Sequence, residues 1–175
     1  MPELADNANA SLPQGGSLLS AKPVEPRFTS TFEPKLDAQK RAQFPVPWRP
    51  ADPDTKFMLV LWPHEKVKPE REFGFIKGLT MRQFEVMMEK LEAKRAGGKD
   101  VGASRRKIYG NSTEVTVDPA GRLCLPPKYA AKIGLESEAR FVGAGSHFEV
   151  WAPEVFKICT EAESDLADEG YDDLI

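Results

Sequence analysis

The tightest constraint on this chain is that it repeats itself: K-L-D-A-Q-K-R-A-Q-F-P over Lys35–Pro45 is echoed by V-T-V-D-P-A-G-R-L-C-L-P-P over Val115–Pro127. In each copy an Asp precedes an Arg by four positions, Asp37 and Arg41 first, Asp118 and Arg122 later. Apolar, polar or small, apolar and Pro follow, with Pro45 matching Pro126. The interval is constant, since 118 − 37 and 122 − 41 both give 81. A fixed internal interval of this kind marks a tandem duplication of one small unit.

The later copy has a direct reading. Asp118-Pro119-Ala120-Gly121 fits a type I turn followed by a left-handed residue: Asp bonds nearby amides, Pro presets φ, and Gly accepts a positive φ. Short alternating runs at Val115/Val117 and Leu123/Leu125 flank it, as in a hairpin, so Arg122 leaves the hairpin beside its turn. In the earlier copy Lys40 stands at the glycine position, where a side chain costs on the order of 1 kcal/mol. That turn either differs in shape or tolerates strain.

Around the hairpins, Pro126-Pro127 and Gly134 bracket a brief helix over Lys128 to Ile133. Arg140–Gly143 and His147–Trp151 read as a second hairpin, and Pro153-Glu154 opens a helix to about Glu163. The first copy has Trp48 in place of Tyr129 and then a strand, K-F-M-L-V-L-W, over Lys56–Trp62. Aligning Phe57 with Phe141 makes its connection three positions shorter (16 against 19), and Pro47, Pro50 and Pro53 argue against a regular helix there. Between the copies Thr80 and Gln83 form a capping box, Met81, Phe84, Met87, Met88 and Leu91 follow helical spacing, and Gly97-Gly98 ends the helix. This stripe reads as core.

The paired D-x-x-x-R signature, with G-R-L-x-L-P and F-E-V-W and a strand ending in Trp62 or Trp151 after each copy, resembles the MraZ family over roughly residues 27 to 160. Members carry two SpoVT/AbrB-type units in one chain. The resemblance implies an α+β, β-rich fold: two tandem AbrB-like swapped-hairpin units forming a pseudo-symmetric double-β barrel with intervening and C-terminal helices. The corresponding divisions are a first unit over 27–70, a helical connector over 71–110 and a second unit over 111–160; composition adds a disordered N-terminal tail over 1–26, an extension unlike the compact members, and an acidic tail over 161–175. The resemblance further implies a DNA-binding transcriptional regulator acting on the promoter of its own cell-division and cell-wall gene cluster, cytoplasmic and nucleoid-associated, working as a homo-oligomer in a ring-like or other multimeric assembly. Lys40 and the Pro-rich connection after Trp48 depart from the family pattern.

Charge is distributed in keeping with a polyanion partner. The net −3 conceals a middle section, residues 28–110, with 17 Lys and Arg against 11 Asp and Glu, and a section 111–175 with 5 against 13. No apolar run approaches a membrane span, and no basic region followed by an apolar one makes a signal peptide at the N-terminus. Cys124 and Cys159 lack metal-ligand spacing and read as buried, reduced thiols. No nucleophile–base pattern or phosphate loop appears, so neither an enzyme nor a small-molecule cofactor is expected.

Arg41 and Arg122 are the leading DNA-binding candidates, because the guanidinium fork reads guanine O6 and N7 in the major groove, which admits a two-stranded ribbon. Lys35 and Lys40 lie on the first hairpin as phosphate contacts, which position without specifying. Asp37, Asp118 and Gly121 form the turns and orient the arginines. Arg105-Arg106-Lys107 is a further basic stretch and a candidate phosphate contact, although so short a run is more often a solvated face. Since the first half carries the positive charge and lacks the turn glycine, the halves are expected to contribute unequally. Two alternatives stand beside the regulator: an antitoxin-like swapped-hairpin protein, and an oligomeric scaffold that binds no DNA.

Overall fold

A computed structural model describes residues 24–68 and 70–172. The expected N-terminal tail lies outside the described residues up to residue 23, as do the last three residues of the acidic tail. The elements are β1 (Thr31–Phe32), β2 (Arg41–Gln43), a 3-10 turn at Val46–Trp48, β3 (Lys56–Trp62), a second 3-10 turn at Glu65–Val67, β4 (Phe75–Thr80), α1 (Met81–Ala96), α2 (Gly102–Gly110), β5 (Ser112–Thr116), β6 (Arg122–Cys124), α3 (Pro127–Lys132), β7 (Arg140–Gly143), β8 (Phe148–Trp151) and α4 (Pro153–Asp172). The fold is α+β and β-rich. One antiparallel sheet runs β1-β7-β8-β4-β3-β5, and β2 pairs with β6 in a separate two-stranded ribbon. The large sheet ends at β1 and β5, so its ladders do not close into a barrel among the described residues.

The duplication is written into the strand register. In the ribbon Ala42 faces Leu123, flanked by Arg41 opposite Cys124 and Gln43 opposite Arg122. Ala42 and Leu123 hold the same place in their two copies, so the ladder is symmetric about that pair. Beyond it Phe44 N–H donates to the Gly121 carbonyl and Leu125 N–H to the Lys40 carbonyl, both at 2.9 Å. A second such centre lies in the large sheet, where Lys77 faces Glu149 between the pairs Ile76–Val150 and Gly78–Phe148. Likewise β1 lies on β7 as β5 lies on β3, Thr31 facing Val142 and Ser112 facing Val60. An approximate two-fold axis therefore relates the halves.

That symmetry corrects the alignment of the two connections. Val60 corresponds to Val142 and Leu59 to Phe141, rather than Phe57 to Phe141, so the first connection is shorter by one position (18 against 19), not three. Aromatic identity misled there because β3 is apolar on both faces. Phe57, Leu59 and Leu61 enter the main core, while Met58 and Val60 face a second cluster with Leu79, Phe84 and Met88. A strand covered on both sides reads as a continuous apolar run without alternation. The Met stripe of α1 is core, as read, and the Thr80 hydroxyl accepts from Gln83 N–H at 3.1 Å to cap the helix.

Two further expectations change. Residues 71–110 begin with a strand, β4, which hid because Lys77 and Gly78 interrupt its pattern; a Cβ on Gly78 would lie 2.1 Å from the Phe148 ring, so glycine is what admits that ring. The C-terminal helix runs to Asp172, well past Glu163, since the acidic segment holds no Pro and only Gly170 to interrupt it. The base of α4 is fixed by Val155, Phe156 and Cys159 against Val67, Phe75 and Trp151. There His64 lies with Nε2 3.0 Å from Glu163 and Nδ1 3.4 Å from Cys159 Sγ. Cys159 is buried and burial pushes its thiol pKa up, whereas Cys124 is exposed because it falls on the outward face of β6. Between β2 and β3 the chain holds only the 3-10 turn Val46–Trp48 where the second half has α3, as its prolines require.

Candidate nucleic-acid interface

Both turns are built by the same set of bonds. In the second, Gly121 N–H donates to the Asp118 carbonyl at 2.8 Å and Asp118 N–H to the Arg122 carbonyl at 2.8 Å. The Asp118 carboxylate accepts from Arg122 twice, from the backbone N–H and from Nε, each at 2.8 Å. In the first, Lys40 N–H donates to the Asp37 carbonyl and Asp37 N–H to the Arg41 carbonyl, both at 3.0 Å. Asp37 accepts from Arg41 N–H at 2.9 Å and Nε at 2.7 Å. Lys40 adopts φ +60° where Gly121 has φ +77°. Of the two possibilities for the first turn, it keeps the shape and tolerates the strain. The four-residue spacing now has its reason: one carboxylate closes the turn with one oxygen and steers the arginine with the other.

The electrostatic signature is equally matched. The Arg41 backbone amide, helped by its guanidinium, holds the Asp37 carboxyl below its usual pKa, and the Arg122 amide does the same to Asp118. Both acids therefore stay ionised and hold the arginines at neutral pH.

The ribbon alternates cleanly. Ala42 and Leu123 point into the core with 1% and 0% exposure, while Arg41, Gln43, Arg122 and Cys124 line the outward face. The two-fold axis places the arginines diagonally across this face. With Nε spent on Asp, each guanidinium keeps its terminal amino groups: Arg41 Nη2 reaches Gln39 Oε1 at 3.2 Å, and those of Arg122 have no partner among the described residues. Two adjacent strands about 5 Å apart carrying such donors can enter a groove about 12 Å wide.

The other candidates separate. The Lys40 ammonium folds back onto the carbonyls of Leu135 and Glu136 rather than standing free. Lys35 is exposed, in a bridge opposite Glu138. Arg105, Arg106 and Lys107 lie on α2, which enters β5 at the end away from the Asp118 turn, about 15 Å along the strand at its usual rise. Arg105 lies 3.5 Å from Glu92 and Lys107 3.1 Å from Glu72. The structure thus brings Arg41 and Arg122 onto one face and leaves the α2 cluster elsewhere.

Two residues of the ribbon were not singled out from the sequence. Gln43 is exposed opposite Arg122. Arg49 lies over the second turn, its Nε donating to the Phe44 carbonyl at 2.9 Å and Nη2 to Gln43 Oε1 at 3.0 Å; a Cβ on Gly121 would meet its Cζ at 2.6 Å. Gln43 could have been found from the repeat, as the polar position between apolar neighbours; Arg49 lies outside it.

Among the described residues no group of three or more His, Cys, Asp or Glu side chains is placed to hold a metal, and no helix is long and apolar enough to cross a membrane.

Comparison with known proteins adds an independent line. Residues 108–170 match the family model described as "MraZ protein, putative antitoxin-like". A protein named transcriptional regulator MraZ from Ruegeria sp. (strain TM1040) is 30% identical over 160 residues, covering 85% of this chain and 91% of that protein. One of the same name from Rhodospirillum rubrum is 30% identical over 137 residues, 77% of this chain and 85% of its own. Another, from Thermomicrobium roseum, is 38% identical over a shorter 74 residues, 42% of this chain and 52% of its own.

Proposed function

The chain belongs to the MraZ family, and on that premise we propose that it is a sequence-specific DNA-binding transcriptional regulator that reads the major groove with the outward face of the β2–β6 ribbon. The observation that carries this reading is the pair of arginines there, each steered by its own Asp, with terminal amino groups turned outward. Donor forks on a rigid two-stranded element suit guanine O6 and N7, and the exposed Lys35 suits phosphate. In this reading the two units, spanning about 27–70 and 111–160, are swapped hairpins: the strand after each turn forms its ladder with its counterpart and keeps a single bridge within its own half, Leu36 to Ala42 and Val117 to Leu123. Several copies of the chain, self-assembled, set successive ribbons against repeated short motifs in the promoter of its own gene cluster, in the nucleoid. The relatives are named transcriptional regulators, which supports the class and leaves the target to this chain's own test.

Footprinting on DNA upstream of its gene tests the proposal. Protection of repeated short motifs is expected, with affinity falling steeply as salt rises, and with loss of protection in Arg41→Ala and Arg122→Ala. Protection that is uniform along the duplex, or unaffected by either replacement, would overturn it. The words "antitoxin-like" in the family description favour a second reading, in which a protein toxin is the partner; retention of a protein partner by the double arginine variant, with no footprint from the parent, would decide for it.

A further inference from the structure

The outward face of the ribbon is not symmetric in chemistry. Opposite Arg122 stands Gln43, whereas opposite Arg41 stands Cys124, the counterpart of Gln43 in the repeat. Arg49, whose counterpart is Ala130, holds the Gln43 side chain at 3.0 Å. A guanidinium has donors only, so the amide atom of Gln43 that faces Arg49 must be the oxygen. The outward half of that amide is then its NH2 group, which only donates. Arg49 is itself fixed, through Nε on the Phe44 carbonyl and by seating on Gly121 where no Cβ intrudes.

We infer that Gln43 is a specificity-determining residue of the ribbon, oriented by the positioning residue Arg49 to present its NH2 donors foremost, so that it favours an acceptor edge, guanine O6/N7 or thymine O4, at the base pair beside the one Arg122 faces. This rests on the DNA-reading role proposed above. A free glutamine reads adenine in two-point fashion, accepting from N6 and donating to N7. Oε1 keeps a second lone pair, but its first holds it toward Arg49, so adenine's two-point contact loses its freedom to align and its advantage narrows. The choice is made on one side of the ribbon only, which gives a pseudo-symmetric protein a polarity on DNA.

The test uses the full chain, with the duplex from upstream of its gene and a set of single-base-pair replacements, all at one salt concentration and again across a salt series. Gln43→Ala should lose preference at one base pair, on the order of tenfold, next to the pair whose preference Arg122→Ala loses. Arg49→Ala should lose the same preference at the same base pair, the double variant should lose no more, and the salt slope should be unchanged. Gln43→Glu keeps a partner for Arg49 but faces outward as an acceptor, so its preference should move toward cytosine N4. If Arg49→Ala weakens every duplex equally and flattens the salt dependence, Arg49 is a phosphate contact and the inference falls. An unchanged base profile in Gln43→Ala and Gln43→Glu overturns it too, and those two exposed-site variants decide the matter even if Arg49→Ala proves misfolded by circular dichroism. A parent with no base preference, indistinguishable from Arg122→Ala, would instead remove the DNA-reading role itself.

Discussion

The two D-x-x-x-R turns reach the same geometry with opposite residues at the critical position, a strained Lys40 in one and Gly121 in the other. A non-glycine residue at positive φ persists only where its surroundings over-determine it. Here the Asp37 carboxylate bonds Arg41 twice, the Lys40 carbonyl takes Leu125 N–H across the ribbon, and the Lys40 ammonium reaches carbonyls beyond α3. The second turn has a different need. Its glycine admits the Arg49 guanidinium from the first half. Each half thus closes the other's turn, Lys40 by reaching out and Gly121 by yielding room, and the unequal turn shapes that the missing glycine suggested do not arise. Any inequality in function comes from what surrounds the arginines, not from where the turns hold them.

The replacement that should damage this balance most is Gly121→Val. A β-branched side chain at φ +77° strains the backbone and also displaces Arg49. A loss of about 1–3 kcal/mol from backbone strain is expected, toward the upper end. Thermal unfolding measures it; a melting temperature equal to the parent's would mean that the second turn needs no glycine. Combining it with Arg49→Ala should recover only the steric part, because the φ cost remains.

Next come the arginines. Since both are clamped alike, Arg41→Ala and Arg122→Ala should each lower specific affinity by about 1–3 kcal/mol without unfolding the protein. Gel shifts on matched and scrambled duplexes measure this. Loss of discrimination in one variant alone would break the equivalence of the two turns and show that the neighbours, Gln39 and Gln43, set the outcome.

Acid offers a gentler probe of the same equivalence. Asp37 and Asp118 have carboxyl pKa values lowered by the amides and guanidinia they bind, so each contributes its full stability above its unfolded value near 3.8 and loses it as pH falls through the lower folded value. Acid unfolding of Asp37→Asn and Asp118→Asn should therefore show a shallower decline below pH 4 than the parent does, and to a similar degree. A difference confined to one variant would place the electrostatic clamp in one turn only.

What the sequence made legible follows from how locally each feature is determined. The turns, the cap at Thr80 and the Met stripe of α1 are set by neighbours within four residues, and all three stand as read. The correspondence of β3 to β7 is set by how each pairs with its own neighbours across the sheet, β3 with β5 and β7 with β1, so equal-looking phenylalanines could misplace it. Strand β4 is visible only once Phe148 explains Gly78. Within the candidate site, Arg41 and Arg122 belong to the motif and Arg49 does not, because its partner Gly121 is 72 positions away (121 − 49) and only folding brings them together.

The smallest effect should come from Lys40→Gly, where opposing terms nearly cancel. Removing the side chain relieves left-handed strain worth about 1 kcal/mol. Against that, glycine adds about 0.4–1 kcal/mol of unfolded-state freedom, and the ammonium's bonds to Leu135 and Glu136 are lost. A net change within about 0.5 kcal/mol is expected from these offsetting terms. Lys40→Ala separates them, since it keeps most of the strain and loses the bonds, and should be less stable than Lys40→Gly. The reciprocal change, Gly121→Lys, should not be neutral: it adds strain of about 1 kcal/mol and drives its Cβ into Arg49. Chemical denaturation of the two exchanges side by side tests the point, and a cost for Lys40→Gly as large as that for Gly121→Lys would mean that the first turn depends on its lysine as much as the second depends on its glycine.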